Sequence, residues 1–155
     1  MLTDVTTALT GLWGSGPGEV WATGERGILM RYDGASWKRT YSRNNVTLRA
    51  VWGSGPGDVW VVGDRGIVMH LNHEAWEYDN VSPDDSTLFT LLGVGGTGAG
   101  DVWVAGQAGV LLHWDGAAWS QQPSGTARYL SAVYGTPRDG VWVAGQMGAI
   151  LHRAP

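Results

Sequence analysis

Cysteine is absent from the 155 residues, which removes disulfides, thiolate zinc sites, iron–sulfur ligation and a cysteine nucleophile. Charge is scarce at 15% Asp, Glu, Lys and Arg, against about 25% in average usage, so disorder driven by charge is excluded. Basic excess is missing too: 10 Lys and Arg face 14 Asp and Glu, a formal net charge of −4. Nucleic acid and anionic membrane surfaces need basic patches, so neither is an expected partner. No apolar run approaches the ~18 residues of a membrane helix. The start, Met1-Leu2-Thr3-Asp4-Val5, has neither a basic region nor an apolar core, so no signal peptide is read and a soluble chain of unknown compartment is expected. Phenylalanine occurs once, whereas the chain is tryptophan-rich and glycine-rich, with 10 Trp and 25 Gly. Tight turns and large flat side chains in one domain-sized chain point to β structure.

The chain is a set of four internal repeats. Leu12 to Trp37 reads LWGSGPGEVWATGERGILMRYDGASW, and Val51 to Trp76 reads VWGSGPGDVWVVGDRGIVMHLNHEAW. Leu91 to Trp119 and Val133 to Arg153 repeat the pattern, with a second tryptophan at Trp21, Trp60, Trp103 and Trp142. The steps are 39, 43 and 39 residues, and the longer one is expected from extra Gly-rich residues between Gly93 and Gly100. Within a unit, Val59-Trp60-Val61-Val62 and Ile67-Val68-Met69-His70-Leu71 are short and apolar on both faces, as strands between two sheets are. Gly63-Asp64-Arg65-Gly66 is a hairpin turn, with both glycines expected to supply positive φ. Thr47 to Trp52 is another strand, Gly53-Ser54-Gly55-Pro56-Gly57 a turn, and a more polar edge strand begins at Trp76. No apolar spacing of three and four persists, so helices are not expected.

Four short antiparallel strands over ~40 residues, repeated, are the pattern of β-propeller blades. The expected fold is all-β, a propeller of four four-stranded blades at about 8–42, 47–80, 87–122 and 129–155. The unit also resembles the short repeats of bacterial propellers in the Asp-box (BNR-like) and photosystem-assembly-factor-like superfamily. Asp33-Gly34-Ala35-Ser36-Trp37 and Asp115-Gly116-Ala117-Ala118-Trp119 look like degenerate Asp-box endings. They lack the Ser/Thr two residues earlier, where Arg31 and His113 stand. That superfamily holds glycosidases, lectins, sorting receptors and assembly factors, so the resemblance speaks for fold more than for function.

Ring closure is left with three readings. The fourth unit would place its outer-strand tryptophan beyond Pro155, so its blade is expected to lack that strand. Residues 1–7, from Leu2 on, are expected to close the last blade, in their own chain or in a second copy that enlarges the ring. An open piece of a longer propeller is the third reading.

Candidate chemistry is thin. His70, His113 and His152 share one repeat position, filled by Arg31 in the first unit. On a third strand they would be scattered by the ring, and each is expected to hydrogen-bond within or between blades. Glu19, Asp58 and Asp101 precede the Val-Trp strand, one per blade, and so form no catalytic pair. Asp84-Asp85 reads as a solvated loop. Gly93-Val94-Gly95-Gly96-Thr97-Gly98 mimics a dinucleotide loop but leads into a strand, with no helix N-terminus for a phosphate. No Ser-centred elbow, Walker loop or metalloprotease helix occurs, and no metal or cofactor is called for. Arg49 is matched to Thr10, Phe89 and Ser131, so arginine does not recur as sialidase-type relatives would require.

The best candidate surface is the rim carrying the turns after the second strand: Glu25, Arg26, Asp64, Arg65, Gln107 and Gln146. Asn44, Asn45, Asp84, Asp85 and Arg128 would join it. Turn capping by the same Asp, Glu and Gln side chains is the competing explanation. Trp37, Trp76 and Trp119 either stack on sugars, as in a lectin-like propeller, or pack against the neighbouring blade. The expected function is a non-enzymatic binding or scaffolding module with a protein or glycan partner. A glycan-binding lectin is the alternative, and a glycoside-acting enzyme the third reading.

Overall fold

The computed structural model describes residues 5–42, 45–73, 75–81 and 89–155. Four antiparallel sheets follow one another in chain order. The first is β1 (Leu9–Gly16), β2 (Glu19–Gly24), β3 (Ile28–Tyr32) and β4 (Trp37–Tyr41). The second is β5 (Leu48–Gly55), β6 (Asp58–Gly63), β7 (Ile67–Asn72) and β8 (Ala75–Asn80). The third is β9 (Leu91–Gly98), β10 (Asp101–Gly106), β11 (Leu111–Trp114) and β12 (Trp119–Gln121). The fourth has three strands among the described residues: β13 (Leu130–Thr136), β14 (Gly140–Gly145) and β15 (Ile150–Arg153). Each sheet is a blade, and the chain is an all-β propeller module with no α-helix among the described residues. No helix there is long and apolar enough to cross a membrane.

Both faces of the middle strands are buried, which is why they read as continuous apolar runs. Val59, Trp60, Val61 and Val62 are all fully buried. Alternate residues serve opposite junctions. Trp21 and Leu29 of the first blade pack with Val59, Val61 and Met69 of the second. Trp60, Val62 and Val68 then pack with Val102, Val104 and Leu112 of the third. Removing one such indole from water is worth about 4–6 kcal/mol before entropy.

The register relocates the extra residues of the third repeat. Leu91 lies opposite Gly106 and Val94 opposite Val104, as Leu48 lies opposite Gly63 and Val51 opposite Val61. The glycine-rich segment is therefore strand β9 without insertion, and the extra length falls between β8 and β9. It follows that Leu92, not Phe89, occupies the place of Arg49. The glycines of β9 have their own cause. A Cβ on Gly95 would come within 2.8 Å of Val133 O, so the inner strands β9 and β13 approach backbone to backbone.

The second-to-third-strand turn also differs from expectation. Gly63 is extended (φ −170), and the left-handed residues are Arg65 (φ 61) and Gly66 (φ 69). Gly63 is required for space: its Cβ would stand 2.3 Å from Thr47 O.

The inner strands β1, β5, β9 and β13 pack side by side in that order, whereas β1 and β13 share no comparable packing among the described residues. The ends are correspondingly open. Leu12 is 69% exposed on β1, and Trp142 is 42% exposed where its counterparts Trp21, Trp60 and Trp103 are buried. Of the segment expected to close the last blade, Leu2 to Asp4 lie outside the described residues, and Val5 packs on Ala22, Ile28 and Met30 of the first blade.

Candidate functional site

The candidate rim is assembled by main-chain bonds. In each blade the first turn residue donates its N–H to the chain entering the inner strand. Glu25 N bonds Ala8 O at 3.0 Å, Asp64 N bonds Thr47 O at 2.9 Å, Gln107 N bonds Thr90 O at 3.0 Å, and Gln146 N bonds Tyr129 O at 2.8 Å. The turn then closes on itself: the N–H after each final glycine returns to the carbonyl of Glu25, Asp64, Gln107 or Gln146. None of the four turns uses a side-chain cap. Gln107 alone among the four makes even a long side-chain bond to backbone, Oε1 accepting from Thr90 N at 3.4 Å. Closure of the turns therefore rests on the backbone and not on the rim side chains.

Arg26, Arg65, Ala108 and Met147 sit at the left-handed apex of each turn, which thrusts them into solvent. Arg26 and Arg65 are exposed and make no ion pair among the described residues. Asp64 is held by Arg49 in a two-pronged pair, Nε to Oδ1 at 2.8 Å and Nη2 to Oδ2 at 3.0 Å. That hydrogen-bonded pair raises the Arg49 guanidinium above its ordinary value, with a further pull from Glu25. Arg128 joins the rim by donating to Met147 O at 3.0 Å. Sequence reasoning placed the rim residues correctly on turns but missed the Arg49–Asp64 pair, because Arg49 belongs to an inner strand fifteen residues away. Asn44, Asp84 and Asp85 lie outside the described residues.

The opposite rim spends its polar groups on structure. Asp58 Oδ1 meets His70 Nε2 at 2.5 Å, and Asp101 Oδ1 meets His113 Nε2 at 2.7 Å. Arg31 stands in for histidine, reaching Glu19 at 3.3 Å. Each carboxylate also accepts from a hydroxyl: Ser15 to Glu19, Ser54 to Asp58, Thr97 to Asp101. The hydroxyl bonds the carboxylate and not the imidazole, so this is no nucleophile–base relay. The His70 ring stacks on Trp60 at 3.7 Å. Burial pushes the Asp58 and Asp101 carboxyls up, but hydrogen bonds outweigh it and hold both below the usual carboxylate range. In the fourth blade Gly140 replaces the acid, and His152 Nε2 donates to Asp139 O at 3.0 Å. Among the described residues no cluster of His, Asp and Glu could hold a metal ion.

Trp76 stands edge-on to Trp21 at 5.4 Å, and Trp119 edge-on to Trp60 at 5.5 Å. Two of the three candidates for sugar stacking are thus engaged between blades, whereas Trp37 meets Tyr32 of its own blade at 5.5 Å. Asp33 and Asp115 hold their turns by accepting two backbone N–H groups each on Oδ1.

No family model matches the chain, and no curated protein matches it. Solved propellers do. The chain is similar to YCF48 bound to D1 peptide, at 21% identity and TM-score 0.78 over 99% of this chain and 52% of that one. It is similar to streptogramin B lyase at 13% identity and TM-score 0.72, over 99% of this chain and 57% of that one. The β-propeller domain of Myceliophteria thermophila Swd1 matches at 11% identity and TM-score 0.69, over 96% of this chain and 55% of that one. These likenesses show the propeller fold, and the chain spans little more than half the length of each.

Proposed function

We propose that the chain is a non-enzymatic binding module whose rim of Glu25, Arg26, Asp64, Arg65, Gln107 and Gln146 receives a protein partner. One observation carries the reading: the four turns are closed by main-chain bonds, and exposed Arg26 and Arg65 make no ion pair among the described residues. Such cations reward a partner carrying carboxylates or peptide carbonyls. YCF48, similar in fold, was solved bound to a peptide, which supports a protein partner over a glycan. Membership of the Asp-box and photosystem-assembly-factor-like superfamily is part of the same proposal, supported by the Asp33 and Asp115 turns.

A second copy completes the ring in this reading. Trp142 and Ile150 are exposed on the last blade at places buried in the earlier ones, and Tyr134 is exposed beside them. The first blade offers Leu9 and Leu12 to receive them, continuing the junctions within the chain. Light scattering giving twice 16.6 kDa supports this completion, and a monomer at high concentration refutes it.

The rim is tested by comparing what the immobilised wild-type chain and an Arg26→Glu/Arg65→Glu variant retain from extract of the source cells. An Arg138→Glu variant on the opposite rim serves as control. A protein retained by wild type and control but lost by the rim variant is expected. Equal retention by all three overturns the proposal.

A further inference from the structure

The inner strand of every blade begins with a bulge on the rim side. Pairing skips one residue between Leu9 and Gly11, Leu48 and Ala50, Leu91 and Gly93, and Leu130 and Ala132. The bulged residues are Thr10, Arg49, Leu92 and Ser131, and a bulge re-aims the side chain it carries. Each second-to-third-strand turn packs on the inner strand of the next blade: Glu25–Gly27 on β5, Asp64–Gly66 on β9 and Gln107–Gly109 on β13. Turn and bulge therefore alternate along the arc, and their chemistry changes halfway.

The first half is ionic. Arg26 and Arg65 stand at exposed left-handed apices. Arg49 lies between them and keeps 40% of its side chain exposed while holding Asp64. These three guanidiniums outnumber the two carboxylates beside them, Glu25 and Asp64. The second half is neutral. Gln107 and Gln146 replace the carboxylates, Ala108 and Met147 replace the apex arginines, and Leu92 takes the place of Arg49. Met147 is 81% exposed. The apex residue is exposed in all four blades, so this exposure belongs to the turn itself. Arg128 donates to Met147 O at 3.0 Å and braces the apolar apex.

We propose that the rim takes an extended protein segment that is acidic at one end and apolar at the other. The acidic end crosses Arg26, Arg49 and Arg65; the apolar end crosses Leu92, Ala108 and Met147. The inference rests on the reading of the rim as the binding surface and specifies what that surface selects. Carboxylates gain charge-assisted bonds from the guanidiniums, and an exposed methionine adapts its unbranched side chain to an apolar partner. Glu25 and Asp64 repel a polyphosphate. No aromatic ring occupies an apex or bulge position, so a sugar finds no face to stack on. The order of the blades fixes the order of the two ends, and a reversed segment does not fit.

The probe is a display library of random peptides of about twelve residues, which extend roughly 40 Å, selected on the immobilised full chain. Enriched peptides should carry acidic and apolar residues in separate blocks and in one order. The most enriched peptide, labelled with fluorescein and read by polarisation, should bind with a Kd of about 1–100 μM. Arg65→Asn should weaken it about tenfold and Met147→Asn about three- to tenfold, asparagine being tolerant of the left-handed conformation. Arg138→Glu should leave it unchanged, and the reversed peptide should bind at least about tenfold more weakly. Binding that survives Arg26→Glu/Arg65→Glu overturns the rim reading itself. Binding lost in that variant, but shown by peptides without an apolar block or indifferent to Met147→Asn or to reversal, retains the rim and overturns the two-ended occupant. No enrichment over an uncoated surface, with the native dichroism spectrum retained, overturns it as well.

Discussion

Gly63 and Gly66 bracket one turn and are glycine for opposite reasons, which makes them a paired experiment. Gly63 has φ −170, open to any residue, so Gly63→Ala costs nothing in backbone conformation. Its new Cβ would stand 2.3 Å from Thr47 O and 3.0 Å from Leu48 Cα. Overpacking of this kind costs about 1–3 kcal/mol. Thr47 O cannot retreat freely, because it accepts from Asp64 N at 2.9 Å; weakening that bond adds about 0.5–1.5 kcal/mol. The sum is about 2–4 kcal/mol, a large share of the ~5–15 kcal/mol that holds a domain together. Gly66→Ala meets no clash, its nearest atom being Phe89 O at 4.0 Å, but sits at φ +69. The left-handed conformation alone costs about 1–2 kcal/mol. Gly16→Ala, with nothing within 4 Å, should stay within about 0.5 kcal/mol of wild type. Urea unfolding of the three variants, compared at constant slope, reads the order directly. If Gly66→Ala proves more damaging than Gly63→Ala, the close-approach argument for the first turn glycine is wrong.

Other outcomes follow from the same geometry. Trp119→Ala should cost about 3–5 kcal/mol in thermal unfolding, since it loses Trp60, Trp114 and the Asp79 bond. Trp37→Ala, whose ring partner is Tyr32 at 5.5 Å, should cost about 1–2 kcal/mol. Asp58 and Asp101 are held below the usual carboxylate range. Their contribution is therefore complete above the unfolded value of about 3.9 and is lost as pH falls through the lower folded values. Urea midpoints measured from neutral pH downward should drop below about pH 4, and Asp58→Asn should flatten part of that drop. Replacing Glu25, Asp64, Gln107 and Gln146 together by alanine should leave the thermal midpoint within a few degrees of wild type, because backbone bonds and not these side chains close the turns. Collapse of the fold would return them to turn chemistry.

Much of the architecture is written in spacing. Tryptophan recurring at 21, 60, 103 and 142, with apolar runs between Gly-rich turns, can only be satisfied by sheets stacked on both faces. The histidine position was legible as structural for the same reason, though its partner was not. Asp58 and His70 are twelve residues apart and meet only through the β6–β7 register. The extra residues of the third repeat were misplaced because glycines suit both a loop and a close-packed strand. Strand pairing at Leu91 and Gly106 distinguishes the two.

The sequence by itself determined the repeat, the strand content and which surface turns carry charge, because periodicity and turn chemistry are local properties. The tertiary structure alone decided that Trp142 is exposed where Trp21, Trp60 and Trp103 are buried and that Gly63 yields to a carbonyl from another strand. Each depends on how blades pack against one another, and that packing is set by contacts between residues far apart in the chain.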